Sequence, residues 1–154
     1  MKQKMIVFFL SLVLFMTGSY VSTVNVCAES SEQDVDISEI WTEDALVGYA
    51  TPLTRGIYLF DGISIINDAG NDKIGAGGIT TAAIECTVSV NVIVEQKVSG
   101  SWLRETSWTA SKTNALTVSS SKYVYVDTGY YYRVRSIHRA STDGSSSCTD
   151  ALWM

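Results

Sequence analysis

The feature that most restricts the fold of this chain is the alternation of apolar and polar residues from Gly56 to the C-terminus. Successive side chains of a β-strand point to opposite faces, so alternation with a period of two indicates half-buried strands. Turn-forming residues interrupt the alternation about every ten residues, and no segment there has the longer period of a helix. The pattern predicts an all-β fold, an antiparallel β-sandwich of immunoglobulin-like architecture with about seven short strands.

Two predicted strands carry most of the pattern, one at residues 79–97 and one at residues 130–139. The predicted core side of the first strand consists of Ile84, Cys86, Val88, Val90, Val92 and Val94. One face of the second strand consists of Tyr130, Tyr132, Val134, Ser136 and His138. Its other face consists of Tyr131, Arg133, Arg135, Ile137 and Arg139. Trp102 and Trp108 both stand at even positions of one further strand, so both are predicted to point to the core.

Breaks between the strands are predicted where turn-forming residues cluster. Residues 67–72 and 75–78 are two such clusters, residues 98–101 are predicted to form a hairpin, and residues 141–147 a loop. The segment 127–132 places an acid and a glycine before three tyrosines, which resembles the tyrosine corner of immunoglobulin-like domains. The cysteine that follows this tyrosine by two residues in that fold is missing here, so the immunoglobulin family is not assigned.

The N-terminus has the order of a secretory signal peptide. Lys2 and Lys4 precede an apolar run at residues 5–16, and Ala28 ends a small-residue cleavage motif. The run is shorter than the roughly 20 residues that cross a bilayer as a helix. We therefore predict export with cleavage after Ala28, an extracellular or cell-surface location, and no stable membrane insertion afterwards. An uncleaved membrane anchor is the alternative.

Charge divides the remaining chain into an acidic leader at residues 29–54 and a β-domain at residues 55–154. The leader has seven acids and no Lys or Arg: Glu29, Glu32, Asp34, Asp36, Glu39, Glu43 and Asp44. Such a run predicts a disordered spacer, with a propeptide or an interaction arm as alternatives. Nine acids and nine bases from Arg55 onward leave the domain neutral, which argues against a nucleic-acid partner.

Cysteine usage predicts a disulfide. Cys27 leaves with the signal peptide, so an exported chain retains Cys86 and Cys148 as a pair in an oxidising compartment. The alternative is two unpaired thiols that pack as small hydrophobic side chains.

Residues for catalysis are too few to predict an enzyme. His138 is the only histidine, and no nucleophile and orienting acid can be placed beside it by spacing. Glu85 and Glu95 lie ten residues apart on one strand, about 33 Å, too far apart to act as a glycosidase pair. We predict no catalytic residue, no cofactor and no bound metal ion.

Calcium is the one metal that the sequence leaves open. Asp68, Gly70 and Asp72 alternate in an oxygen-rich stretch, but Ile79 stands where a calcium loop would place its bidentate glutamate. A surface loop held by side-chain hydrogen bonds is the preferred interpretation.

The stripe formed by Tyr131, Arg133 and Arg135 is the predicted binding site. Tyrosine beside arginine can bind an anionic or sugar partner through stacking and cation–π contacts. The alternative is that these residues only stabilise pairing between neighbouring strands.

Four segments together carry a family resemblance: residues 56–60, 77–82, 99–102 and 129–134. They resemble a family of small secreted β-proteins of Gram-positive bacteria that carry a domain of unknown function. The resemblance implies a secreted bacterial protein with an all-β domain, and no activity. The expected function is non-catalytic binding of a cell-envelope component, a glycan or a protein. The alternative is a secreted antagonistic peptide or small toxin that matures by removal of the acidic leader.

Overall fold

A computed structural model describes residues 32–51 and 56–154 of the chain. The predicted signal peptide, with Cys27, lies outside these residues. Eight strands and one short helix are present in the described ranges: β1 (Glu32–Val35), α1 (Ile37–Ile40), β2 (Leu46–Tyr49), β3 (Leu59–Gly70), β4 (Lys73–Val98), β5 (Ser101–Tyr125), β6 (Tyr131–Ala140), β7 (Asp143–Cys148) and β8 (Leu152–Trp153). Their pairings are antiparallel. The all-β antiparallel class is confirmed.

Strands β4 and β5 form one long hairpin that runs through both halves of a single hydrogen-bonded sheet. In the first half, called the β3 half, residues 73–81 of β4 pair with β3 on one side and with residues 117–125 of β5 on the other. In the second half, called the β6 half, residues 88–96 of β4 pair with β6, and β6 pairs with β7 and β8. Register shifts between Thr81 and Val88 separate the halves. Several predicted short strands are therefore parts of two long ones.

Side chains of the two halves meet in the interior. The Ser64 hydroxyl of β3 donates to Ser136 of β6 at 2.8 Å, and Thr80 of β4 lies 2.8 Å from Nδ1 of His138. The predicted core face of β4 is buried at Val88, Val90, Val92 and Val94, but Ile84 is exposed near the register shift. The predicted division of β6 into two faces is confirmed, because its even-numbered residues from Tyr132 to Ala140 are all buried. The immunoglobulin-like sandwich remains a prediction.

Positive φ angles are found at two of the predicted turns. Ser99 and Gly100 have φ of 49° and 85°, as a two-residue hairpin between β4 and β5 requires. Asn71 and Asp72 likewise connect β3 to β4 with positive φ. The predicted loop at residues 141–147 is mostly strand β7, which begins at Asp143.

The tyrosine corner is present at Tyr132. Its hydroxyl donates to the carbonyl of Asp127 at 2.9 Å and accepts from Gln96 Nε2 at 2.8 Å. Burial raises the pKa of this hydroxyl and outweighs the opposing effect of the Gln96 hydrogen bond. The hydrogen bond to Asp127 fixes the turn before β6 and therefore the position of Tyr131, the first residue of that strand.

The acidic segment corrects the prediction of a disordered leader for residues 32–51. Strand β1 pairs with β5, and β2 pairs with β3. Between them, Asp36 caps α1 by accepting from the Ser38 amide at 2.9 Å, and Ile40 is fully buried. Glu32 pairs with Lys122 of β5, and the other acids of this segment face solvent while a few apolar residues anchor it. The charge pattern alone does not reveal this arrangement.

Glycines that were predicted to break the chain instead make room for α1. Gly75 and Gly77 lie inside β4. A Cβ on Gly75 would stand 2.6 Å from Cγ2 of Ile40, and one on Gly77 would stand 2.7 Å from Cδ1 of Ile37. Absence of a side chain lets the helix lie directly on the strand. These contacts place α1 on the side of the β3 half that points away from the interior.

Replacing Ile40 by alanine is expected to lower the free energy of unfolding by about 3 kcal/mol, because it leaves a cavity against β4. Chemical denaturation checks the value. The matched control is Trp41→Ala, since the adjacent Trp41 is 43% exposed whereas Ile40 is fully buried, and its removal is expected to lower stability by only about 1 kcal/mol. An Ile40→Ala variant as stable as the control would mean that the segment is not anchored through α1.

The predicted disulfide between Cys86 and Cys148 is wrong, because both cysteines are free. Cys148 pairs with Arg135 of β6, and Arg135 pairs with Ile93 of β4, seven residues from Cys86. The two cysteines are therefore roughly 25 Å apart, given about 3.3 Å per residue along a strand and about 4.8 Å between strands. A bridge requires Cα atoms within about 7 Å. An even number of cysteines in the sequence does not reveal how far apart they lie in the fold.

Candidate functional site

The face of the β6 half that points away from the interior is the candidate site, here called the outer face. The strand register places there Lys97, Glu95 and Ile93 of β4, Trp102 and Arg104 of β5, Tyr131, Arg133, Arg135, Ile137 and Arg139 of β6, Cys148 of β7 and Trp153 of β8. All three predicted binding residues, Tyr131, Arg133 and Arg135, are therefore on one surface.

An aromatic row crosses the end of the outer face. Tyr131 pairs with Trp153, and their ring centroids are 4.7 Å apart in an edge-to-face arrangement. Both are open to solvent, at 44% and 57% exposure. Lys97 pairs with Trp102, and its ammonium lies 5.7 Å from the centre of that ring. Because Gln96 pairs with Tyr132, the neighbouring Lys97 stands beside Tyr131. The row is thus Trp102, Lys97, Tyr131 and Trp153.

A β-bulge brings Trp102 to this face and corrects its predicted core position. Val94 pairs with Thr106 but Glu95 pairs with Arg104, so Glu105 is an extra residue in β5. One extra residue reverses which face the following side chains occupy. Trp108 remains on the inner side, where it packs against the core and donates to Ser120 at 3.1 Å.

Two arginines share one carboxylate in the next row. Arg133 Nε donates to Glu95 Oε2 at 2.7 Å, while Arg135 Nε and Nη2 both donate to Oε1 at 3.1 Å. Glu95 is only 6% exposed, so its two acceptor oxygens are held within the sheet surface. The Arg133 guanidinium also stacks over Trp102, with Cζ 4.3 Å from the ring centre. This group of contacts, here called the arginine clamp, fixes both guanidinium groups.

An open groove of about 530 Å³ continues from the clamp along β6 and β7. Arg135, Ile137 and Arg139 line one side of it, and Ser146 lines the other. Asp143 at its rim accepts from the amides of Tyr58 and Leu59 at 2.6 and 3.1 Å, and these bonds lower the pKa of its carboxyl. The groove therefore presents arginine and hydroxyl donors, with its one carboxylate turned to the backbone of neighbouring residues.

Charges are separated between the two sides of the protein. Five of the eight Lys and Arg in the described ranges lie on the outer face, where Glu95 is the one acid among the strand residues, giving +4. The chain as a whole has a net charge of −5. The acidic segment supplies Asp36, Glu39, Glu43 and Asp44 around α1, which lies on the far side of the β3 half. Asp150 stands in the loop between β7 and β8, at the edge of the outer face.

His138, the only histidine of the chain, lies in the interior. Its Nδ1 is 2.8 Å from Thr80 Oγ1 and its Nε2 is 2.7 Å from Ser147 Oγ, which in turn lies 2.6 Å from Ser64 Oγ. A neutral imidazole offers one donor and one acceptor, which suits a ring between two hydroxyls. Burial lowers the His138 pKa to about 4, and the nearby charge of Asp61 opposes this only in part.

Ser147 beside His138 is a hydroxyl–imidazole pair that sequence spacing did not suggest. Ser147, His138, Thr80 and Ser64 are each at most 5% exposed, so a substrate cannot reach the pair. The arrangement joins the two halves of the sheet through hydrogen bonds. These buried hydrogen bonds give His138 a place in the packing between the halves.

Metal ligands do not converge in the part of the chain that the structure describes. No group of three or more His, Cys, Asp or Glu side chains there could hold an ion. At residues 67–72, where the sequence left a calcium site open, Asp68 accepts a hydrogen bond from the Gly70 amide at 2.8 Å, at the end of β3. Side-chain turns thus hold this segment.

The predicted stripe of Tyr131, Arg133 and Arg135 has neighbours on the outer face that the sequence does not reveal. Glu95, Trp102 and Trp153 join Tyr131, Arg133 and Arg135 only through the register of β4, β5, β6 and β8. Among the residues described, none belongs to a helix with the length and apolarity that crossing a membrane requires. Comparisons with protein-family models, with curated proteins and with solved structures found no match.

Proposed function

We propose that this chain is a secreted, non-catalytic binding protein whose outer face binds a glycan of the cell envelope. The observation that carries the proposal is the aromatic row, in which Tyr131 and Trp153 are exposed and oriented by the pairing of β6 with β8. The apolar C–H faces of sugar rings pack on such rings, and the ring edges remain free for polar contacts. Export by the predicted signal peptide would bring this face to the envelope.

Rigidity of the row supports binding over a simple cross-strand ladder. The tyrosine corner anchors the residue next to Tyr131, and the Trp102 ring contacts both the Lys97 ammonium and the Arg133 guanidinium. Side chains fixed before binding lose little conformational freedom on contact with a ligand, which favours affinity.

The alternative of a small toxin released from its leader is less well supported. Removal of residues 29–54 would delete β1, α1 and β2, including buried Ile40. A maturation step that removes three elements of the folded sheet would expose the glycine surface of β4 beneath α1.

Sedimentation with purified cell walls tests the proposal. Trp153→Ala and Tyr131→Ala are each expected to weaken wall binding by about fivefold, because each removes one stacking surface worth on the order of 1 kcal/mol. Tyr49→Ala is the matched control, since Tyr49 is an exposed tyrosine on β2, away from the outer face. Equal binding by all three variants, or no sedimentation of the unaltered chain with any wall preparation, would overturn the proposal.

A further inference from the structure

The arginine clamp leaves most of its hydrogen-bond donors unused. A guanidinium has five N–H donors. Arg133 uses its Nε–H on Glu95, and Arg135 uses its Nε–H and one Nη2–H. No hydrogen bond within the described part of the chain uses the others. These groups are also accessible, because the Arg133 and Arg135 side chains are 27% and 38% exposed while Glu95 lies beneath them.

One carboxylate cannot neutralise two guanidinium groups, so the clamp retains a charge of about +1. Arg104 pairs with Glu95 from the other side, and Lys97 and Arg139 extend the positive charge to both ends of the face. Along β4, Lys97 and the Arg139 partner Ser89 are eight residues apart, which corresponds to about 26 Å. A single sugar cannot span this length, but a polymer with repeated charges can contact several cations.

We propose that the outer face selects a polyanionic glycan, whose acidic groups bind the arginine clamp and the flanking cations while its sugar rings pack on the aromatic row. The inference rests on the proposed function and specifies its ligand class. Guanidinium groups pair with carboxylate and phosphate through two parallel hydrogen bonds. Fixed orientation of Arg133 and Arg135 by Glu95 and Trp102 reduces the entropy lost on binding. The acidic segment on the opposite side repels a polyanion and so restricts it to this face.

Matched dextrans test the inference, because they share one sugar backbone and differ in charge. The probes are unmodified dextran, carboxymethyl dextran and phosphorylated dextran, with binding measured by calorimetry on the full mature chain. Both charged polymers are expected to bind at least about tenfold more tightly than the neutral one in about 0.05 M NaCl, with the difference falling steeply by about 0.3 M. The carboxylate and phosphate arms separate the two sources of negative charge.

Variants locate the effect on the face. Arg104→Gln combined with Arg139→Gln is expected to weaken binding of the charged dextrans about fivefold or more. Neither arginine makes a salt bridge within the described residues, so the fold is expected to be unaffected. Lys112→Gln is the matched control, because Lys112 is an exposed base of β5 outside the outer face.

The outcomes separate the inference from the proposed function. Equal affinity for neutral and charged dextrans, or equal loss in the Lys112 control, would overturn the polyanion selection. If purified walls still bind and the aromatic variants still weaken that binding, the proposed function would stand. Tight binding of duplex DNA to the same face would also overturn the inference, since the partner would then be any polyanion and not a glycan.

Discussion

Replacing Gly48 by alanine is expected to lower the free energy of unfolding by about 3 kcal/mol or more, which is a large part of the roughly 5–15 kcal/mol of a typical domain. A Cβ at this position would stand 2.0 Å from the carbonyl oxygen of Cys148 and 2.8 Å from the Thr149 amide. Both are backbone atoms, which cannot rotate away as a side chain could. Strand β2 would have to leave β7 for the alanine to fit.

Urea denaturation followed by circular dichroism measures this effect. Gly144→Ala is the matched control, because the nearest atom to its Cβ would be the His138 carbonyl oxygen at an ordinary 3.6 Å. That variant is expected to change stability by less than about 1 kcal/mol. A Gly48→Ala protein as stable as the control would show that the acidic segment does not dock on β7.

Acid is expected to destabilise the protein between about pH 6.5 and pH 4 through His138. The His138 pKa is about 4 in the folded protein, well below the ordinary value of 6.5. The unfolded chain therefore binds more protons in this range, so stability is fully present above pH 6.5 and falls as the pH decreases. From pH 7.5 to pH 4.5, the expected loss is about 2–3 kcal/mol.

His138→Gln isolates this effect, because glutamine keeps hydrogen-bonding groups between Thr80 and Ser147 but does not titrate. The variant is expected to be less stable at neutral pH and to lose much less stability on acidification. Hydrogen bonds lower the pKa of Asp36 and Asp143. The stability that these carboxylates contribute is therefore lost mainly at a more acidic pH than the range in which His138 acts. An unaltered protein whose urea midpoint is constant from pH 7.5 to pH 4.5 would contradict the buried, neutral state of His138.

Alternation in the sequence predicted the parts of the fold that depend on local pattern. The faces of β6 followed directly from it, and the buried valines of β4 did so as well. The pattern failed where one residue shifts the register, as the bulge at Glu105 shows for Trp102. It also could not distinguish a glycine that ends a strand from one that admits a helix, which is the role of Gly77.

Charge and cysteine content misled for a related reason. Seven acids without a base indicate disorder, yet two isoleucines of α1 hold the segment to β4. Cys86 and Cys148 form an even pair, but the strand pairing keeps them far apart. The arginine clamp likewise joins Glu95 to two arginines that follow it by 38 and 40 positions in the chain. Each of these contacts depends on long-range register, which composition and spacing do not encode.

The four tryptophans provide the most direct test of the outer face as the binding site. Trp102 and Trp153 lie on it, Trp108 faces the interior, and Trp41 is exposed just after α1. Each indole N–H gives a separate NMR signal, so a titration with soluble fragments of purified cell wall reports on all four positions in one sample. We expect the Trp102 and Trp153 signals to shift while those of Trp41 and Trp108 remain in place. Binding that shifts only Trp41 or Trp108, or none of the four, would contradict the assignment of the outer face.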